Sequence, residues 1–227
     1  MIISVITQDK HIWINRRVTV VLETMIAVIT GDIVHSRALP ADRWMNPLKT
    51  ALQRMGRTPG DWEIFRGDSF QVKIAEAAEA FEQAVYIKAC LKTLKKIDVR
   101  MAIGIGDIDY AAERISESNG SAFSFSGSRY ERLKKDKQLL AIQSAWPEFD
   151  EEMNLYFKLG LIAMNAWTPK SAEVVKLVLE HPDASQQALG EKLHIRQHAV
   201  SKRLKTAYFH EIRELDRWFR KRLKQFS

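Results

Sequence analysis

The 227-residue chain has one cysteine, Cys90. No internal disulfide can form, and a lone thiol in a chain of this length suits a reducing compartment. Cys90 falls in the helical pattern "AVYIKACLKTL", which reads it as a small buried hydrophobe. Long apolar runs are also missing. The best, Val18 to Ile29, is broken by Glu23 and Thr24 and falls short of the roughly 20 residues a bilayer requires. No small-residue cleavage site follows a clean apolar stretch, which argues against a signal peptide. The expected location is therefore cytoplasmic, with no membrane partner. The six histidines show no metal-ligand spacing, and no local motif suggests a Ser-His-Asp or Cys-His arrangement. Internal repeats and low-complexity segments are absent.

What is present is a globular composition, 46% hydrophobic and 28% charged, with a net charge of +7. That charge is unevenly placed. Residues 168–227 carry thirteen Lys and Arg against seven Asp and Glu, and the first 167 carry twenty-two against twenty-one. A near-neutral body with a basic last quarter points to a C-terminal nucleic-acid-binding piece. Four segments follow. Residues 1–24 carry no motif and read as an N-terminal extension, or Met25 is the natural start. Residues 25–145 form an α+β domain, 146–167 ("WPEFDEEMN…") a linker or connecting helix, and 168–227 an all-α domain.

The α+β assignment rests on periodicity. "MIAVITGDI" is a β-rich run, and Trp44, Leu48, Ala51, Leu52 and Met55 mark one helix face. The breaker Thr58-Pro59-Gly60 leads into a hairpin at 62–74, "WEIFRGDSFQVKI". Phe81, Ala84, Val85, Leu91 and Leu94 mark a second helix. In "DVRMAIGIGDI", Val99, Met101, Ile103 and Ile105 face one way. Arg100, Ala102, Gly104 and Gly106 face the other, where small residues permit a close approach. Strand, helix, hairpin, helix, strand is buried by an antiparallel ferredoxin- or palm-like sheet with helices on one face.

The C-terminal block opens with Thr168-Pro169, an N-cap followed by proline at the first helical position. The helix "KSAEVVKLVLEH" buries Val174, Val175, Val178 and Leu179. In "ASQQALGEKLHIRQHAVSKRLKTA", Ala188, Leu189 and Leu193 point inward, Ile195 sits in a turn, and Val200 and Leu204 point inward from the next helix. Gly190 falls where the two helices would cross. The pattern resembles a helix-turn-helix of winged-helix or sigma-region-4-like regulators. His194 stands where glycine is usual, a position that asks for left-handed backbone. Arg196, Gln197, His198, Ser201, Lys202 and Lys205 face outward from the second helix. Arg and Gln make bidentate base contacts, and Ser and Lys reach phosphates. An ordinary helical hairpin with a solvated basic face is the plainer alternative. From Tyr208 an amphipathic helix runs through Ile212, Leu215, Phe219 and Leu223, packing on the domain or on a second subunit.

Two Gly-Asp dipeptides, Gly31-Asp32 and Gly67-Asp68, end or interrupt strands. Set side by side, Asp32 and Asp68 would share a divalent cation, and Mg²⁺ with a nucleotide triphosphate is the usual tenant. Ser36, Arg37 and Arg66 are candidates to hold phosphate. The competing reading makes both dipeptides plain turns, and leaves the serine-rich "SESNGSAFSFSG" as a flexible or a phosphate-cradling loop.

"GDIVHSR" resembles the first metal-binding strand of class III nucleotidyl cyclases, and "RGDSF" resembles their hairpin and that of diguanylate cyclases. With "DVRMAIGIGD" and "GSAFSFSGSRYERLKK", residues 25–205 more closely resemble the SatD family, bacterial proteins with this N-terminal pattern and a C-terminal helix-turn-helix. The cyclase resemblance implies metal ligands at Asp32 and Asp68 and a transition-state arginine at Arg132. The accompanying asparagine is replaced by Ser128, the purine-selecting lysine by Ile64, its acidic partner by Ser121, and the glutamate of diguanylate cyclases by Ser69. The metal and phosphate features remain while base reading does not, so no working cyclase is expected.

The combined expectation is a homodimeric transcriptional regulator that binds double-stranded DNA and senses a nucleotide or metal-phosphate ligand. An enzyme acting on nucleotides and a DNA-binding protein with an inert dimerising body are the alternatives.

Overall fold

A computed structural model describes residues 25–226. The expectation for residues 1–24 lies outside the described residues. Strand β1 (Ile26–Val34) leads through α1 (Ala41–Gln53) to the hairpin of β2 (Trp62–Phe65) and β3 (Ser69–Ile74). Then come α2 (Ala80–Lys92), β4 (Asp98–Gly106), α3 (Ser121–Asp136) and β5 (Leu140–Gln143). One five-stranded sheet results, in the order β2-β3-β1-β4-β5. The first four strands pair antiparallel, and β4 and β5 pair parallel. The sheet is therefore mixed, not antiparallel throughout. The parallel pair follows from its connection: α3 is the crossover a parallel pair needs.

Strand alternation splits the sheet into two faces, and both carry helices. Ala27, Ile29, Phe70, Met101, Ile103 and Ile142 turn to one side, into a core with Trp44 and Leu48 of α1 and Phe81 and Ile87 of α2. The expectation of helices on one face fails because α3 covers the other. There the strands present Val28, Thr30, Ala102 and Gly104 to Ala122, Ser126, Tyr130 and Leu133. A Cβ on Gly104 would lie 2.2 Å from the carbonyl oxygen of Ala122 and 2.4 Å from the amide nitrogen of Ser126. The close approach read from the small residues of "MAIGIG" is thus made by α3. The serine-rich stretch supplies the helix itself, since Ser121–Gly127 form its first half. Over the hairpin the same face is closed by the turn at Ile115–Glu117, where Ser116 Oγ donates to buried Glu63 at 2.6 Å and Arg114 pairs with it.

Helix α2 is buried nearly all round and not along one stripe. Its Lys88, 2% exposed, pairs with Asp98 Oδ1 at 2.6 Å. Cys90 is buried as expected, and burial pushes its thiol up to about 11, far from a reactive range. Helix α4 (Pro147–Asn165) closes the β5 edge. The Asn154 amide accepts from the Ile142 N–H and donates to the Ile142 carbonyl, both at 2.9 Å, so the edge strand offers no free ladder there.

The C-terminal helices are α5 (Pro169–Glu180), α6 (Gln186–Lys192), α7 (Gln197–Thr206) and α8 (Phe209–Leu223). They are not a separate body. Ala172, Val175 and Leu179 of α5, and Ile212, Phe219 and Leu223 of α8, belong to the main core. Phe219 sits among Phe81, Phe149 and Phe157 with ring centroids 5.9–6.2 Å apart. Tyr86 of α2 also donates to Glu180 of α5 at 2.7 Å. No helix among the described residues is long and apolar enough to cross a membrane.

Candidate nucleic-acid interface and carboxylate site

Helices α5, α6 and α7 surround a small core of Val174, Leu189 and Val200, joined by Leu193, Ile195 and Leu204. Each start is set locally. Thr168 Oγ1 accepts from Ser171 N and Ser185 Oγ from Ala188 N, ordinary N-caps worth about 1 kcal/mol each. The turn between α6 and α7 closes with Ile195 N donating to Gly190 O at 2.9 Å. A Cβ on Gly190 would stand 2.6 Å from the Ile195 carbonyl oxygen. The glycine is needed by the backbone of this turn, where the sequence reading placed a crossing of helices. His194 takes the left-handed conformation, φ 52°, that its position demands.

Arg196, Gln197, His198, Ser201, Lys202 and Lys205 are all exposed, as expected. Arg196 caps the start of α7 and the rest ride on it. No acid lies within ion-pair distance of Arg196, Lys202 or Lys205 among the described residues, whereas Arg203 pairs with Glu173 at 3.3 Å. The outward face of α7 therefore offers cations and amides with no internal use. No strand follows α7 among the described residues; α8 does, so the wing of a winged-helix is not built there.

The second candidate lies at the far end of β1. Asp32 pairs in register with Ser69 of β3 and Arg100 of β4, which places it one residue from Asp68 across the ladder. The hairpin tip achieves this with Arg66 and Gly67 both left-handed, φ 51° and 86°, and Ile33 N donates to Asp68 O at 3.1 Å. The two acids are close enough for the charge of Asp68 to act on Asp32. Their environments differ. Asp68 Oδ2 accepts from Ser36 Oγ at 2.6 Å. Asp32 points under α3, 19% exposed, with Arg100 3.8 Å away and Lys134 near. The Tyr130 hydroxyl stands beside both Asp32 and Ser69, yet Asp32 Oδ1 is buried without a hydrogen bond of normal geometry. Burial raises the Asp32 pKa, and the positive charges of Arg100 and Lys134 only partly offset it. The same burial pushes the Tyr130 phenol well above its ordinary value.

Of the residues read as phosphate holders, only Ser36 touches the pair. Arg37 and Arg66 are exposed nearby in the chain. Arg132 is exposed and lies off the buried Ala122–Ser126–Tyr130–Leu133 face of α3. The residues α3 does bring to Asp32 are Tyr130 and Lys134. Sequence reading missed them because the cyclase pattern drew attention to position 132. Helical spacing from Ser126 would have found Tyr130. Among the described residues no three His, Cys, Asp or Glu side chains converge. Asp32 Oδ1 and the second oxygen of Asp68 are the groups left to meet a cation. Two carboxylates suffice for Mg²⁺ when phosphates supply further oxygens.

No family model matches the chain, and no curated protein matches it. The SatD and cyclase resemblances therefore rest on the quoted motifs alone.

Proposed function

We propose that the chain is a DNA-binding regulator in which α6 and α7 form a helix-turn-helix and α7 is the reading helix. The observation that carries this is the set of six exposed polar side chains on α7 and its cap, with Arg196, Lys202 and Lys205 free of acidic partners. A helix needs no such set for stability, and phosphates and base edges are what it fits. The reading is tested by titrating the protein into a labelled 30-base-pair duplex. Arg196→Ala/Lys202→Ala should weaken binding by at least tenfold and flatten its salt dependence. A double variant that binds as the wild type does would withdraw α7 as the reading helix.

Readers of this kind commonly bind as dimers. Of the two packings open to the α8 face, the domain or a second subunit, the core takes it. The apolar surface left over lies along α4, where Leu155, Leu159 and Ile162 are more than half exposed at helical spacing, beside Tyr208. A second copy would pack there, and the same titration should then give two chains per duplex.

The sheet body is proposed to sense a phosphate-bearing ligand at Asp32 and Asp68, its first four strands having the connectivity of a ferredoxin- or palm-like domain. What supports this is Asp32 Oδ1, since a buried carboxylate oxygen without a hydrogen bond lowers stability and needs a reason to persist. Asp32→Asn should raise the melting temperature by about 2–4 °C at pH 7, the effect of about 1 kcal/mol in a domain of this size. The sign follows from the raised folded pKa. The stability Asp32 lends is fully present below its ordinary value of 3.8 and is lost as pH rises through the folded value. The advantage of the asparagine should therefore vanish below about pH 4. With Mg²⁺ and a panel of nucleoside triphosphates and cyclic dinucleotides, the wild type should gain stability and Asp32→Asn should not. If the asparagine proves no more stable at pH 7 and no ligand shifts the wild type, Asp32 is structural.

A further inference from the structure

A second basic surface lies outside the basic last quarter of the chain: its lysines come from residues 92–96, and the other walls of the concavity they border come from segments far apart. Beside the C-terminal end of β1 and the N-terminal ends of β4 and β5 is a cavity of about 380 Å³. His35, Lys92, Lys95 and Lys96 border it, and Leu139 and Trp167 line it from the apolar side. The one acid on it, Asp98, is already held by Lys88 at 2.6 Å and by Lys92 at 3.4 Å. Lys95 and Lys96 are exposed and have no acid within 4 Å among the described residues. Lys96 also sits in left-handed backbone, φ 68°, where a long side chain is uncommon.

Cations beyond the C-terminal end of α2 complement the negative pole of its dipole, and one lysine would serve that end. Lys92, held by Asp98 and donating to the Asn165 carbonyl, meets that need, and Lys95 and Lys96 exceed it. The cavity is joined to α7 through Trp167. That side chain lines the cavity, and its indole N–H donates to the carbonyl of Ala207, the residue after α7, at 2.8 Å. Pro169, which opens α5, lines the cavity too, and exposed Lys170 follows it. A ten-residue helix is about 15 Å long. The cavity therefore lies at the end of α7 opposite Arg196, about one helix length from it. That length is comparable to the major-groove width of about 12 Å, whose edges are phosphate backbone.

We infer that this cavity is a contact for the DNA backbone, through which the sheet body grips the duplex that α7 reads. The inference rests on the reading of α7 given above. It assigns the body a direct part in DNA affinity, and it places that contact at His35, next in the chain to Ser36, whose hydroxyl donates to Asp68.

The test compares three double variants on one labelled 30-base-pair mixed-sequence duplex, from 50 to 200 mM salt. Lys95→Gln/Lys96→Asn removes the charges while keeping a residue that accepts left-handed backbone at 96. Arg196→Ala/Lys202→Ala reports on α7. Lys49→Gln/Lys224→Gln removes two exposed lysines elsewhere and reports on net charge alone. Loss of two phosphate contacts should make the slope of log K against log salt shallower by about 1.8. Extrapolated from 1 M, that is a loss of roughly 60-fold at 0.1 M salt. The control pair should lose much less. An unchanged slope in Lys95→Gln/Lys96→Asn, with α7 variants impaired, overturns the cavity contact and leaves the α7 reading standing. An equal loss in the control pair overturns it as well. A loss in the cavity variant with none in the α7 variant overturns the shared duplex and the α7 reading together.

Discussion

Gly104→Val should cost the protein about 3 kcal/mol or more and lower its melting temperature by about 6–12 °C. The reason is that the obstruction is backbone on both sides. The Cβ of any residue at 104 would come within 2.2 Å of Ala122 O and 2.4 Å of Ser126 N, so no rotamer change relieves it. The helix axis must retreat, and with it goes the burial of Ala122, Ser126, Tyr130 and Leu133. Gly106→Ala should be milder: its nearest obstacle is the Ser121 hydroxyl at 2.2 Å, which can turn away, and the backbone it meets, Ala122 N at 2.9 Å, stands farther off than that facing Gly104. The consequence for the carboxylate site is separate from stability. Tyr130 and Lys134 ride on the same helix, so a retreating α3 hydrates Asp32 and returns its pKa toward the ordinary value. Thermal melts and a carboxyl-resolved titration of Asp32 read the two effects. A Gly104→Val protein that melts within 1 °C of the wild type would mean that α3 does not lie this close to β4.

Some of this was legible in residue pattern and some was not, for reasons that differ by element. Strands β1 and β4 and the hairpin announced themselves by alternation, and the register that brings Asp32 beside the hairpin follows from them. Helix α3 was hidden because its buried face is Ala122, Ser126, Tyr130 and Leu133. Where it lies almost on backbone, at Ala122 and Ser126, only small residues fit, and these leave Leu133 as the one strongly apolar mark of the face. Strand β5 is four residues, Leu140–Gln143, and is completed by an asparagine twelve positions on. No local pattern records that. Lys88 sits in a helix read as one-sided, and only the ends of α2 and β4 coming together explain a buried cation there. The outward face of α7 was readable because exposure follows helical phase once the apolar positions are known. The Lys95 concavity was not, since its lysines are close in sequence but His35, Lys95 and Trp167 are neighbours only through the sheet.

Asp98→Ala is the second substitution expected to be severe, with a loss of about 3–5 kcal/mol at pH 7. Its carboxylate accepts from Lys88 at 2.6 Å, lies 3.4 Å from Lys92 and also accepts from Val99 N at 2.8 Å. Removing it leaves the Lys88 ammonium buried with no counter-charge. Burial already lowers the Lys88 pKa from its ordinary 10.5, and Asp98 is what opposes that shift. Without Asp98 the folded pKa falls further. For a base whose folded pKa is depressed, the stability it lends is present above the unfolded value and lost as pH falls through the folded one. The deficit of Asp98→Ala should accordingly be largest near neutrality and shrink as pH approaches 10. Lys88→Met separates charge from packing. It keeps a long side chain in the same space and leaves Asp98 with Lys92, so it should cost far less than Asp98→Ala. The double variant Lys88→Met/Asp98→Ala should recover most of the loss, since no unpaired charge is then buried. Melting curves of the three proteins at pH 7 and pH 10 decide the matter. Equal losses for Lys88→Met and Asp98→Ala, with no pH dependence in either, would show that lost packing, and not a stranded ammonium, sets the cost.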